Sequence, residues 1–150
     1  CAITERYMEG IMPPPFWQAG LRGNHLADDV PVDRWQICRF YPPSHVLIDV
    51  GVAHAGHGGF HADPKIKASS TVIDFITPET ESSTWYFWGM ARNFNAQDQA
   101  LSEQIRSSLS KVFSEDLQML EMQQQNLERN EGRKLLSLNI DGGGVQARRI

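Results

Sequence analysis

Hydrophobic and polar residues alternate along much of the first two thirds of this chain. From Arg34 to Tyr41, Trp35, Ile37 and Arg39 point one way and Gln36, Cys38 and Phe40 the other. This is the two-residue period of a strand. Pro42-Pro43 breaks the run and sets a turn. From His45 to His54 a second strand is predicted, with Val46, Ile48, Val50 and Val52 on one face. Ala55 to Lys67 is glycine-rich and polar, and reads as a loop. Ser69 to Ile76 resumes as strand, Thr77 to Glu81 turns, and Ser83 to Ala91 is an aromatic strand that is apolar on both faces. Ala2 to Met8 also reads as strand. Short turns between successive strands predict an antiparallel meander. The segment from Gly10 to Asp33, with Pro13-Pro14-Pro15 and Phe16-Trp17, reads as a long connection holding a helical turn.

The period then changes. From about Ala96 to Arg129, Leu101, Ile105, Leu109, Val112, Met119, Leu120 and Leu127 fall on one face of a helix with 3.6 residues per turn. Asn93 and Asn95 are candidate N-caps, and Gly132 ends the pattern. Beyond it, Asp141-Gly142-Gly143-Gly144 reads as a flexible turn, with a further helix starting at Val145. The layout is α+β: an antiparallel sheet with a long C-terminal helix laid across it, enclosing an apolar cavity.

Asp116 stands near the centre of the apolar helical stripe. A buried carboxylate there must be paired, hydrogen-bonded or bound to a metal. Two readings stay open: a metal ligand or catalytic carboxylate facing the cavity, or a core aspartate held by a backbone group or an arginine. Asp74 shares a strand face with Val72 and Ile76, so it either meets a polar ligand group or faces solvent. His54, His57 and His61 suggest zinc. Their glycine-rich loop is poorly suited to holding ligands rigid, and no cysteine or paired glutamate stands beside them. Trp17, Trp85, Phe87, Trp88 and Phe113 read mainly as core.

Composition narrows the classes. A net charge of −4 gives no general attraction to nucleic acid or anionic membrane. No apolar run approaches the roughly 20 residues of a membrane span. Cys1 and Cys38 make neither a disulfide framework nor a zinc motif, so a cytoplasmic setting is expected. The chain opens at Cys1 directly into strand and stops at Ile150 without a tail, as expected of a piece of a longer protein.

Several stretches resemble the C-terminal catalytic domain of Rieske-type aromatic oxygenases, in their vanillate O-demethylase group. They are Phe75-Ile76-Thr77-Pro78-Glu79-Thr80-Glu81, Trp85-Tyr86-Phe87-Trp88-Gly89-Met90-Ala91-Arg92-Asn93-Phe94, Met8 to Trp17, Asp28 to Trp35, Glu115-Asp116-Leu117 and Leu138 to Gln146. The resemblance implies a helix-grip fold (START/Bet v 1-like), here a partial domain. Residues 1–150 would be the C-terminal part of a ring-hydroxylating-oxygenase catalytic domain, without the Rieske domain. It implies a monooxygenase that O-demethylates a methoxylated, vanillate-like aromatic acid. Hydroxylation of the methoxy carbon would give a hemiacetal that loses formaldehyde. It also implies mononuclear non-haem Fe(II), a Rieske [2Fe-2S] cluster, dioxygen, an NADH-dependent reductase and a trimeric assembly. Asp116 matches the aspartate of the two-histidine, one-carboxylate iron triad. Asp74 would face the polar end of the substrate, and Ser107 and Val112 would line its pocket.

The family's Asp-x-x-His-x-x-x-x-His pattern is absent from these residues. Cys1 and Cys38 lack the Cys-x-His and Cys-x-x-His pairing of a Rieske cluster. The chain by itself is therefore expected to be catalytically silent, with no metal bound. The alternative from another class is a helix-grip binding domain that performs no chemistry, anchoring a small molecule through Asp74 and Asp116.

Overall fold

The computed structural model describes residues 1–134 and 136–150. Two compact units are present: residues 1–96 with 140–150, and residues 97–139.

The first unit is built on a five-stranded antiparallel sheet in sequence order: β1 (Ala2–Ile11), β2 (Val32–Tyr41), β3 (His45–His54), β4 (Lys67–Pro78) and β5 (Thr84–Arg92). The meander expected from the alternation is present; β1 to β4 run at or beyond their predicted bounds, β4 continuing through Thr77 and Pro78 of the expected turn, and β5 is shifted by one residue. Between β1 and β2, helix α1 (Pro15–Gly23) replaces the expected helical turn. Pro15 sits in its first turn, where a missing N–H costs nothing and the fixed φ already suits a helix.

The register assigns every strand residue to one of two faces, because directly paired residues share a side. Ala2, Phe40, Val46, Asp74 and Trp88 form one row of the first face. At the far end of that face, where Val32, Val52 and Ala68 are buried, α1 packs on β4 and buries Trp17 and Leu21. A Cβ on Gly20 would come within 3.2 Å of the Ala68 Cβ and 3.4 Å of the Phe94 ring, so glycine sets the close approach of helix to sheet. Phe94 stacks edge-on against Trp17 at 6.2 Å and Phe16 at 6.0 Å.

The second face carries Trp35, Ile37 and Ala53. Residues of the β3–β4 loop, Phe60, Ala62 and Ile66, fold back over them. The loop is more ordered in conformation than its composition implies, with short 3-10 turns at Gly59–His61 and Pro64–Ile66. Trp35 pairs across the strands with Gly51. Arg39 and Asp49 form an ion pair on this face, and the Thr71 hydroxyl donates to Asp49 at 2.8 Å.

The expected glycine turn near residue 142 is instead helical: Gly142–Ala147 forms α3 against β1. A Cβ at Gly143 would lie 2.4 Å from Thr4 Cγ2. The absent side chain is what admits the backbone there.

The second unit is dominated by α2 (Gln99–Arg129), 31 residues long, about 46 Å at 1.5 Å per residue. Its N-cap is Asp98, whose side chain accepts from the Leu101 N–H at 2.9 Å, not Asn93 or Asn95. Asp98 outcompetes them because it sits three residues before the amide it caps. No helix is long and apolar enough to cross a membrane among the described residues.

Candidate functional site

Asp74 is the buried polar side chain of the sheet unit that carries a charge. It is 5% exposed and stands on β4 opposite Val46 and Trp88. Asp74 therefore does not face solvent. An isolated carboxylate in such surroundings is costly, and Tyr86 compensates in part. Tyr86 stands opposite Ile76, one row along, and its hydroxyl donates to Asp74 Oδ1 at 2.9 Å. Burial pushes the Asp74 carboxyl above its ordinary range, while the Tyr86 hydrogen bond pulls it back. Desolvation dominates, since one neutral donor cannot replace a full hydration shell.

Two further polar groups share this face. Cys38 lies in the next row with Thr4, Ile48, Val72 and Met90. Burial pushes its thiol up, the Thr4 hydrogen bond lowers it, and the charge of Asp74 raises it further. Ser70, two rows from Asp74 along β4, is 4% exposed, and its Oγ is enclosed with no hydrogen-bond partner among the described residues. The face is thus an apolar surface with a few placed polar groups, the composition usual in small-molecule sites.

Asp116 is on α2 and is exposed, so the burial that demanded compensation is absent. Within the stripe only Ile105 is buried. Val112, Met119 and Leu120 are exposed by 50%, 67% and 59%. Asp116 makes no hydrogen bond or ion pair among the described residues. Val112 precedes it by four residues and shares its helix face. Ser107 precedes it by nine, two and a half turns, which puts it on the opposite face of α2. Both Ser107 and Val112 are exposed.

No group of three His, Cys, Asp or Glu side chains that could hold a metal ion is present among the described residues. The histidine loop does not converge. His54 Nε2 bonds the Ala27 carbonyl at 2.9 Å, His61 packs on Phe60 at 5.1 Å, and His57 is exposed. A mononuclear iron needs two histidines beside a carboxylate. The residues present offer the carboxylate alone, so they do not fit that centre unaided.

The sequence reading passed over Tyr86 and Ser70. Tyr86 was submerged in an aromatic strand that is apolar on both faces. The signal for it was the β4–β5 turn: pairing Pro78 with Thr84 puts residues 76 and 86 opposite each other, one row from Asp74.

The family described as "Vanillate O-demethylase oxygenase C-terminal domain" matches residues 2–150. The chain is 66% and 67% identical, over 148 residues, to vanillate O-demethylase oxygenase subunits from two Pseudomonas strains. These alignments cover 99% of this chain and 42% and 45% of the relatives, so the chain spans less than half of their length. A crystal structure of dicamba monooxygenase with non-haem iron and dicamba superposes with a TM-score of 0.73 at 27% identity, over 98% of this chain and 43% of that one. Sheet order, long helix and sequence agree: this chain belongs to the vanillate O-demethylase oxygenase C-terminal domain family.

Proposed function

We propose that this chain is the C-terminal part of the catalytic domain of a Rieske-type monooxygenase that O-demethylates a methoxylated aromatic acid. The observation that carries the reading is the 66–67% identity to vanillate O-demethylase oxygenase subunits across 99% of the chain. On this reading Asp116 is the carboxylate donor to a mononuclear iron, with both histidine donors supplied from outside these 150 residues. Iron of this kind activates dioxygen beside the substrate. The protein around it binds and orients the ring. Val112 lies on the Asp116 face of α2 and belongs to that lining; Ser107, on the opposite face, is a weaker candidate. Asp74 is the polar anchor of the ring-binding surface.

A Rieske [2Fe-2S] cluster, a separate NADH-dependent reductase, a trimeric assembly and a cytoplasmic setting complete the proposal. That these relatives are oxygenase subunits supports a further protein component.

The test uses the full-length protein with a reductase and NADH. Release of about one formaldehyde per 4-hydroxy-3-methoxybenzoate consumed is expected. Asp116→Ala should remove most of the mononuclear iron and lower turnover by at least about a thousandfold. Ligand binding with no formaldehyde would favour the non-catalytic binding domain instead. Undiminished iron in Asp116→Ala would remove Asp116 from the iron site.

A further inference from the structure

Every hydrogen bond to the Asp74 carboxyl falls on one of its two oxygens. Tyr86 Oη donates to Oδ1 at 2.9 Å, and no second hydrogen bond reaches the group among the described residues. Oδ2 therefore lacks a partner. It is not sealed into the core either, because Ser70 Oγ alone among the described buried side-chain atoms is both enclosed and unpartnered. A carboxyl that is 5% exposed, braced at one oxygen and open at the other, is arranged to meet a further group.

The donor at Oδ1 indicates which group. Tyr86 offers a hydrogen to Asp74, the arrangement that favours the acceptor form of the carboxyl. The open Oδ2 then complements a hydrogen donor. A ligand carboxylate at this point would put two like charges together in an apolar setting, which is strongly unfavourable. A phenolic O–H would instead form a charge-assisted hydrogen bond. The immediate neighbours suit an aromatic ring. Trp88 and Val46 flank Asp74 in its own row, and Val72 and Met90 occupy the next.

We infer that Asp74, positioned by Tyr86, is the specificity determinant that reads a free phenolic hydroxyl on the aromatic ring, and not the ring's carboxylate. This deepens the function proposed above and rests on it. Asp74 touches the ligand, whereas Tyr86 acts through Asp74 as a positioning residue. The surface would discriminate a ring carrying a hydroxyl from the same ring carrying a methoxyl, since the methoxyl leaves Oδ2 facing a second acceptor.

The experiment measures dissociation constants by calorimetry, without oxygen, on the full-length iron-loaded protein. The probes are 4-hydroxy-3-methoxybenzoate, 4-amino-3-methoxybenzoate and 3,4-dimethoxybenzoate. The hydroxyl and amino compounds should bind about tenfold to a hundredfold tighter than the dimethoxy compound, the range of a hydrogen bond to a charged group. Asp74→Leu should bring that ratio to about one. Tyr86→Phe should lower it severalfold, weakening the hydroxyl and amino compounds more than the dimethoxy compound, a split that a merely structural role would not produce. Tyr86 is 46% exposed, so this variant decides the matter even if Asp74→Leu fails to fold. A ratio near one in the wild type, or a ratio unaltered in the variants, overturns the inference and leaves the proposed function standing. Failure of the wild type to bind any of the three compounds overturns both.

Discussion

Asp74 has a direct consequence for stability. Its folded carboxyl titrates above the ordinary value of 3.8 because burial disfavours the charge. Between 3.8 and the raised folded value, the native state binds more protons than the unfolded chain, so stability falls as pH rises through that window. Above the window the penalty is fully present, and below 3.8 it is absent. Asp74→Asn carries no such term. Relative to wild type, the Asn variant should therefore gain stability as pH is raised from about 4 to 7, seen as a widening difference in urea midpoint. A difference that narrows over this range would mean that the charge is stabilised in the folded state and that desolvation does not dominate. The two aspartates singled out in the sequence also show what local pattern can convey. Asp74 and Asp116 both lie among apolar neighbours at the period of their element, yet one is buried and the other exposed. Period fixes which side chains share a face; it does not fix what covers that face.

Strands β2 to β4 and the long helix were legible in the sequence because each carries its period over ten or more residues; β5, apolar on both faces, was legible from its aromatic composition and the turn before it, and short turns set the β2–β3 and β4–β5 registers. Helix α1 was only half legible. Its nine residues include two glycines and follow a proline run, a composition that reads as loop until Gly20 is seen against Ala68. The cap at Asp98 and the helical turn at Gly142–Ala147 were missed for a similar reason: both depend on a local hydrogen bond or a close approach that no periodicity reports. Gly51 is the sharpest case. A Cβ there would lie 2.2 Å from Trp35 Cζ2 and 2.8 Å from the Ala68 carbonyl. The indole occupies the space a side chain would need, and the backbone on the other side cannot yield. Gly51→Ala must displace Trp35, which is 2% exposed and central to the second face. Overpacking of this kind costs about 2–3 kcal/mol. The expected result in chemical denaturation is a lowered midpoint with an unchanged slope, whereas Gly56→Ala, with nothing within 4 Å but φ +80°, should cost only about 1 kcal/mol. Equal losses at the two sites would mean that Trp35 repacks freely.

At the scale of the whole chain, the relation between family and capability can be tested directly. Membership follows from the match over residues 2–150, but an iron centre is a matter of donors, and 150 residues that match 42–45% of their relatives need not contain them all. Three donors converging on one ion act together, since each is already held in place when the next binds. A lone carboxylate on an exposed helix has no such advantage and must compete with water for every coordination position. Donors present in number are no substitute for donors that converge: of the five histidines, none joins a three-residue cluster with acidic or thiol groups among the described residues. The isolated 150-residue chain, incubated with Fe(II) under nitrogen and desalted, should thus retain well under about 0.1 equivalent of iron, unchanged by Asp116→Ala. On the proposed function, the full-length protein should retain a mononuclear iron and lose it on the same substitution. If the short chain held one equivalent of iron and Asp116→Ala removed it, the donors would have to be sought within these residues. The exposed position of Asp116 on α2 would then have to change on metal binding. If His57→Ala removed it, the glycine-rich loop would be the metal site, and the assignment of Asp116 would fall.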